Sequence, residues 1–360
     1  GDRQTLRKFY RSLINVAGMY YYVSLPVVIF LVIAVAGSLV YGCLMAGRIP
    51  IRLLLIVVLG GVVTIYSMIR SLFIRVNRED PGRSLAEQEA PGLWSLAREV
   101  ASSIGTRPVD EIRVTPGTEM AVYERGNFRE RSQDRAKRIL IVGVGILNSF
   151  KQDAFRAVLA HEYGHLSHRD TAGGDVAIRV SGDMIKFARA MAAYGQAVWW
   201  NIAFQFLRVY HFIFRRISGG ATRLQEVLAD RVAVRTYGAS AFEEGLRHVI
   251  RRQVEFEDVA YWEVTGAAKA GRSLQNLYEM RVSNEKVIEE KIEEAINRPT
   301  SEDDTHPCPA ERFRYAKRVV SGGAVTTGGV VWDLFADREK LTSEMSAVLE
   351  RQLRSASAYD

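Results

Sequence analysis

"LAHEYGHLSHRD", residues 159–170, holds three of the six histidines in the chain. From Asp153 onward apolar residues recur at helical spacing, so this stretch is predicted to lie on a helix. On that helix His161 and His165 are one turn apart and project from the same face. Glu162 lies on the adjoining face, where it reaches a metal-bound water without being a ligand. The H-E-x-x-H pattern therefore predicts a zinc ion (Zn²⁺) held by two imidazoles, with Glu162 as catalytic base.

An ordinary helix with two surface histidines would show the same spacing. The apolar residues just before the motif, including Phe155, Val158 and Leu159, predict a buried face on this helix. A buried face places the histidines at an interior cleft, and this favours the metal site over the surface alternative.

A catalytic zinc ion takes three protein ligands and a water, so a third ligand is needed. His168 follows His165 by three residues, but it is expected to belong to the end of the helix. The stretch "QEVLADR", residues 225–231, places Glu226 and Asp230 one turn apart on a predicted helix. Glu226 would bind zinc, and Asp230 would accept a hydrogen bond from a ligand histidine. On spacing alone, a solvated helix face is an equally good interpretation of these two acidic residues.

Two long uncharged runs precede this region, at residues 12–47 and 53–69. Each is long enough to cross the roughly 30 Å hydrocarbon core of a bilayer as a helix. Four basic residues precede the first run and four arginines follow the second, whereas the connection carries only Arg48 and Arg52. This asymmetry predicts a multi-pass protein of the cell membrane whose N-terminus and catalytic domain face the cytoplasm. The net charge of +7 suits a domain beside anionic lipid, and no nucleic-acid motif accompanies it.

The pattern of elements predicts a mainly helical fold with a small β-sheet. The stretches "DEIRVTPG", "EMAVYERG" and "RILIVGVGILN" are typical of short strands, and most of the remaining chain has helical spacing. We therefore expect a membrane anchor with two transmembrane helices at residues 1–77 and a catalytic domain at residues 78–360.

Residues 171–217 form a predicted helical insertion between the zinc ligands. All ligands must lie on one side of the membrane, so this insertion crosses the bilayer an even number of times. Residues 176–189 carry four charged side chains, each costly at the bilayer centre, so two crossings are disfavoured. The expected structure is a helical hairpin, with Trp199 and Trp200 packed on the domain or at the lipid interface.

"HEYGH" followed at a distance by "EVLAD" resembles the membrane-bound gluzincin metalloproteases that include HtpX and the CAAX prenyl endopeptidases. "RILIVGVGILNSF" and "THPCPAER" are similar to further segments of that family, in the same order. The resemblance implies a zincin-like domain preceded by two transmembrane helices. It also implies that His161, His165 and Glu226 bind zinc, that Glu162 is the base, and that His306 and Arg312 lie near the reacting carbonyl. One departure is Met120, where the family often has an asparagine.

The function expected from these residues is a membrane-anchored zinc endopeptidase acting on peptides or proteins, including membrane proteins under quality control. Zinc would polarise the scissile carbonyl and a water, Glu162 would move the proton, and His306 would donate to the oxyanion. A substrate peptide would add to an edge strand near residues 121–123. Three alternatives stay open: a CAAX-type processing peptidase, a non-catalytic membrane-anchored scaffold, and an aminopeptidase, whose acidic amine-binding cluster the sequence does not locate.

Overall fold

The computed structural model describes residues 2–47, 51–52, 55, 58–63, 65–66, 80–126, 129–130, 133–167, 174–193, 195, 197–199, 201–301, 307–321 and 328–357. The chain divides into two compact units. The first unit comprises residues 1–78, 169–225 and 301–305. The second comprises residues 79–168, 226–300 and 306–360.

The protein is mainly helical with one small mixed sheet, and this part of the predicted fold is confirmed. In chain order the helices and strands of the described residues are α1 (Asp2–Met45), β1 (Arg83–Ser84), α2 (Pro91–Ser103), β2 (Glu111–Thr115), β3 (Met120–Arg125), β4 (Lys137–Gly143), α3 (Gln152–Ser167), α4 (Gly174–Ala193), α5 (Ile202–Tyr237), α6 (Ala239–Ala270), α7 (Glu285–Asn297), α8 (Pro309–Ala316) and α9 (Arg338–Ser357). Short 3₁₀ turns lie at residues 87–89, 144–146 and 331–334.

The sheet of the second unit has the strand order β1-β2-β4-β3. Strand β4 is parallel to β2 and antiparallel to β3, and Tyr123 lies opposite Ile139 in this second pairing. All residues of β4 after Lys137 are buried, as expected for a central strand flanked on both sides. Among the residues that the structure describes, strand β3 pairs only with β4, so it is an edge strand of this sheet with backbone groups on its other side.

Helix α3 packs against β3 and helices α2 and α6 in the main hydrophobic core. Its apolar residues Phe155 and Leu159 are fully buried there, as their helical spacing predicts. Gly245 of α6 lies directly against α3, because a Cβ at this position would be 2.6 Å from the carbonyl oxygen of Ala154. The absence of a side chain at this glycine therefore permits the close packing of the two helices.

The outer face of the sheet carries the first described residues of the second unit. The Tyr123 hydroxyl donates to the Asp80 carboxylate at 2.7 Å, and Arg125 pairs with the same carboxylate. Arg113 of β2 donates to the carbonyl oxygen of Pro81 at 2.9 Å. These contacts attach the start of the domain to strands β2 and β3 of the sheet.

The first unit contains α1, α4 and the first part of α5. Among the described residues, only one helix is long and apolar enough to cross a membrane, over Ser12–Met45 of α1. The predicted second crossing, residues 53–69, lies partly outside the described residues, and two transmembrane helices are not confirmed. The predicted insertion contains helix α4 and the first part of α5, and the exposed Trp199 lies between the two helices. Trp200 lies outside the described residues.

Candidate metal centre

Helix α3 carries the two histidines. The contacts of Tyr163 and Gly164, which lie between them on this helix, determine its position. Tyr163 is fully buried, and its hydroxyl accepts from the Val109 N–H and donates to the Ala97 carbonyl, both at 3.2 Å. Burial raises the pKa of Tyr163 to about 12, so the hydroxyl keeps the proton that it donates. Gly164 faces Ala229 of α5, and a Cβ on this glycine would lie 2.9 Å from the Ala229 Cα. This close approach brings the acidic residues of α5 to the histidines.

The side chains of His161, His165 and Glu226 converge on one point. The two histidine Nε2 atoms are 3.1 Å apart. Glu226 Oε2 lies 3.5 Å from His161 Nε2, and Glu226 Oε1 lies 3.4 Å from His165 Nε2. His161 and Glu226 are buried and His165 is partly exposed, so the cluster opens on one side. The three residues that were predicted to be metal ligands are therefore brought together.

The spacing of these donor atoms fits a small tetrahedral metal ion. Zinc binds imidazole nitrogen and carboxylate oxygen at about 2.0–2.2 Å, which separates neighbouring ligand atoms of a tetrahedron by about 3.3 Å. The three observed separations are 3.1, 3.4 and 3.5 Å. Two imidazoles and one carboxylate are also a donor set that zinc accepts in catalytic sites, where the fourth position is left to water.

Asp230 contacts His161 on the side of the ring that faces away from the other donor atoms. Its Oδ1 lies 2.8 Å from His161 Nδ1, so the carboxylate accepts a hydrogen bond from the ring nitrogen that faces away from the other donors. Arg312 of α8 holds the same carboxylate with two bonds, from Nε at 2.9 Å and from Nη2 at 2.6 Å. The guanidinium also lies over the Phe242 ring, 5.6 Å from its centroid.

The electrostatics of this pair keep both groups charged. Burial by itself raises the pKa of Asp230, but the Arg312 guanidinium and the hydrogen bond from His161 outweigh it and lower the pKa to about 2. Burial likewise opposes the charge on Arg312, yet the Asp230 carboxylate raises its pKa above the ordinary value, with smaller contributions from Glu226 and Glu162. Asp230 is therefore an ionised acceptor that favours a proton on His161 Nδ1 and leaves Nε2 free to bind a metal.

Glu162 lies on α3 beside the converging donors and is half-buried. Its carboxylate is close enough to Arg312 to contribute to the raised pKa of that guanidinium. Helix α3 packs against edge strand β3, which places this strand beside the helix that carries the motif. Met120, the residue that departs from the family pattern, begins β3 and is partly buried.

Arg312 lies at the site, and its two shortest hydrogen bonds join it to Asp230, while its Nη2 also lies 3.4 Å from both ring nitrogens of His161. His306 and His168 lie outside the described residues. Sequence reasoning did not identify Phe242, which supports Arg312, or Gly164, which allows the helices to approach. The small size of Gly164 and Ala229 is the sequence feature that could have indicated a close helix contact. The sequence does not show, however, which helix lies opposite each of them.

The sequence model of peptidase family M48 matches residues 134–320, slightly more than half of the chain and including the whole donor cluster. The chain belongs to peptidase family M48. The predicted resemblance to HtpX-type metalloproteases is thereby confirmed, and it is supported by curated relatives that carry that name.

Three such relatives are each named "Protease HtpX homolog". The one from Pelotomaculum thermopropionicum is 29% identical over 100 residues, which is 28% of this chain and 33% of the relative. The one from Methanocaldococcus jannaschii is 23% identical over 167 residues, covering 46% and 55%. The one from Kineococcus radiotolerans is 28% identical over 153 residues, covering 42% and 49%. The chain thus spans about a third to a half of the length of these relatives. No solved structure matches it.

Proposed function

We propose that this protein is a membrane-anchored zinc endopeptidase in which His161, His165 and Glu226 hold the metal ion. The observation that carries the proposal is the tetrahedral spacing of their three donor atoms, and membership of peptidase family M48 supports it. A bound zinc ion supplies Lewis acidity to the scissile carbonyl and to a water. Asp230, held by Arg312, orients His161 so that its Nε2 faces the ion.

Glu162 is the proposed general base. Its carboxylate removes a proton from the attacking water and delivers it to the leaving amine. The resemblance to the family suggests that His306 donates a hydrogen bond to the oxyanion. Arg312 acts in this scheme through Asp230, because two of its nitrogen atoms are already bonded to that carboxylate.

A substrate peptide is proposed to pair with edge strand β3, around residues 121–123. The strand lies against α3, and its outer edge carries backbone donors and acceptors for an extended chain. Backbone pairing does not read side chains, which suits a protease that removes damaged membrane proteins of varied sequence. Met120 offers no polar group where the family often has an asparagine, so substrate contact at this end of the strand rests on the backbone.

The proposed location is the cell membrane, with residues 1–77 as a multi-pass anchor and the protease domain, residues 78–360, in the cytoplasm. The long apolar helix α1 and the distribution of basic residues support this arrangement.

The test uses the full chain purified in detergent, with zinc content and cleavage of an unstructured protein such as casein as readouts. Glu162→Gln removes only the base, so we expect a bound zinc ion and a kcat about 10²–10⁴ times lower than wild type. Glu289→Gln is the matched control, because Glu289 forms an exposed ion pair with Arg251 and should not affect the reaction. Wild-type protein that holds zinc but cleaves nothing would contradict the proposal and favour a scaffold.

Glu226→Ala tests the metal ligands independently of turnover. Loss of one of three ligands should leave the purified protein with little zinc, since the remaining imidazole pair binds it weakly. Full zinc occupancy in this variant would rule out Glu226 as a ligand.

A further inference from the structure

Strand β3 is held differently at its two ends. Before its first residue, the Glu119 carbonyl oxygen accepts from the Gly143 N–H at 2.6 Å, and the Pro116 carbonyl oxygen accepts from the Tyr278 hydroxyl at 2.7 Å. In the first half of the strand, Val122 is buried in the main hydrophobic core. Backbone bonds and core packing therefore fix the beginning of β3.

The second half of β3 is held from the outer face of the sheet by one carboxylate, that of Asp80. Tyr123 and Arg125 share this face, whereas Glu124 between them faces inward, where it pairs with Arg138. The Tyr123 hydroxyl donates to Asp80 Oδ1 at 2.7 Å, and Arg125 pairs with Oδ2 of the same carboxylate, whose side chain is only 8% exposed. Burial raises the pKa of Tyr123 and the neighbouring carboxylate raises it further, so the hydroxyl remains the donor. We call these two contacts of Asp80 the edge clamp.

Asp80 is itself fixed to another strand of the sheet. Arg113 of β2 donates to the carbonyl oxygen of Pro81 at 2.9 Å and to that of Asp80 at 3.1 Å. Gly82 has a φ of +68°, and its position beside the Val114 carbonyl oxygen leaves no room for a Cβ. Because β4 lies between β2 and β3, Asp80 connects the edge strand to the strand beyond its neighbour.

An extended peptide can pair with β3 only while this strand is itself extended. An edge strand has a hydrogen-bonded neighbour on one side, so its end opens more readily than a central strand. When the binding-competent conformation is only partly populated, the apparent affinity falls in proportion to that population. Tyr123 is one of the residues with which the substrate is proposed to pair, so the edge clamp acts directly on the pairing strand.

We propose that Asp80 is a positioning residue for substrate binding, because the edge clamp keeps residues 121–125 extended and ready to pair with a peptide. The inference rests on the proposed function, in which β3 is the strand that binds substrate. Asp80 acts through Tyr123 and Arg125 and takes no part in the chemical step. It follows the expected membrane anchor, residues 1–77, by three positions, so the segment that joins the anchor to the protease domain also prepares the substrate strand.

The test uses the full chain in detergent and measures kcat and KM for labelled casein, together with hydrogen exchange of the peptides that cover residues 120–126. Asp80→Ala removes both contacts of the edge clamp, and Asp80→Asn keeps one acceptor for the Tyr123 hydroxyl. Asp258→Ala is the matched control. The Asp258 carboxylate also binds two groups, the N–H and the hydroxyl of Ser283, but it belongs to α6.

Asp80→Ala should raise KM about tenfold, the factor expected for loss of a hydrogen bond to a charged group, with kcat within about twofold of wild type. Hydrogen exchange at residues 121–125 should become faster, and the zinc content should not change. Asp80→Asn should give an intermediate KM. Asp258→Ala should keep the wild-type KM even where its melting temperature falls, which separates the positioning of β3 from general stability.

A wild-type KM in Asp80→Ala would overturn the inference, because extension of β3 would then not limit substrate binding. Unchanged hydrogen exchange in this variant would overturn it as well, since the edge clamp would not hold the strand. An equal rise of KM in Asp258→Ala would attribute the effect to general destabilisation, with the same consequence. If the wild type shows no cleavage that depends on Glu162, the proposed function and the inference both fail, whereas failure of the Asp80 variants alone leaves the zinc endopeptidase in place.

Tyr123→Phe provides a second readout with little change in packing. Because Arg125 still pairs with Asp80, we expect KM to rise about threefold, less than in Asp80→Ala. In the Asp80→Ala background, Tyr123→Phe should have no further effect, since the hydroxyl acts through that carboxylate. Additive effects of the two changes would show that Tyr123 contacts the substrate directly, and would overturn its role in the edge clamp.

Discussion

Arg138 in the sheet and Arg312 at the metal centre are buried to almost the same degree, 5% and 6% exposed, but their partners differ. Arg138 donates to Glu124 at 3.0 Å, to Asp134 at 2.6 Å and to the Thr106 hydroxyl at 3.0 Å. These partners lie on β3 and on loops next to the sheet. These contacts therefore join parts of the fold to each other and do not include a candidate metal ligand.

Arg312 uses two nitrogen atoms on one carboxylate, that of Asp230, which in turn accepts a hydrogen bond from His161. The Arg312–Asp230 ion pair is therefore hydrogen-bonded to a candidate metal ligand. Burial of an arginine therefore does not reveal its role, whereas the last group in its hydrogen-bond network does. Loss of Arg138 should affect stability alone, and loss of the Asp230 charge should affect metal binding.

Arg138→Ala should have the largest effect on stability. It breaks the ion pair between two almost fully buried side chains, Arg138 and Glu124, and breaking a buried ion pair from one side costs about 3–5 kcal/mol. Thermal unfolding in detergent should show a strongly lowered melting temperature, with the zinc affinity of the folded fraction unchanged. Arg98→Ala removes an exposed pair with Glu87 and should leave the melting temperature close to that of wild type. A large loss of zinc affinity in Arg138→Ala would show that the Arg138 network also supports the metal site.

Asp230→Asn should weaken zinc binding by about 10- to 100-fold, because the carboxylate that orients His161 becomes a neutral amide. Chelator competition measures the affinity. Asp134→Asn makes the same chemical change beside Arg138 and should leave zinc affinity at the wild-type value. Equal zinc affinities in the two variants would show that the Asp230 carboxylate does not support the metal site.

The Asp230 charge should also make the metal-free protein sensitive to acid. Its pKa in the folded protein, about 2, is lower than the ordinary value of 3.8, so folding favours the ionised form. The resulting stabilisation, about 2 kcal/mol, is present above pH 4 and is lost as the pH falls towards 2. The free energy of unfolding of the chelated protein, measured at several pH values, should show this loss. In Asp230→Asn the free energy of unfolding should depend less steeply on pH. An identical acid dependence in both proteins would contradict the assigned pKa.

Gly164→Ala should have the smallest of the four effects. The added Cβ would lie 2.9 Å from the Ala229 Cα, so α3 and α5 must separate slightly, at a cost of about 1–2 kcal/mol. Zinc affinity should fall as well, because this approach positions the donors. Gly182→Ala is the control, since no atom of the described residues lies within 4 Å of its added Cβ, and alanine there should stabilise α4 by up to about 1 kcal/mol. Similar effects of both changes would mean that the helix contact is not important.

Much of the site could be predicted because its signals are local. His161 and His165 are separated by one helical turn, as are Glu226 and Asp230, and residues so spaced share a helix face in any fold. The strand segments around 111–115 and 137–143 were likewise visible from their β-branched residues. The partner of Arg312 could not be predicted, since the sequence does not indicate which of many acidic residues a distant guanidinium will meet.

From the sequence alone one could read the residue types of the candidate metal donors, their pairing on two helices, and the uncharged run that suits a membrane. Tertiary structure alone decided that Arg312 binds Asp230 rather than standing free, and that part of the apolar run of α1 is covered by α4 and α5. The physical reason is that periodicity within one helix specifies only which face a side chain occupies. Which surface lies opposite that face depends on the close packing of distant segments, such as Gly164 against Ala229.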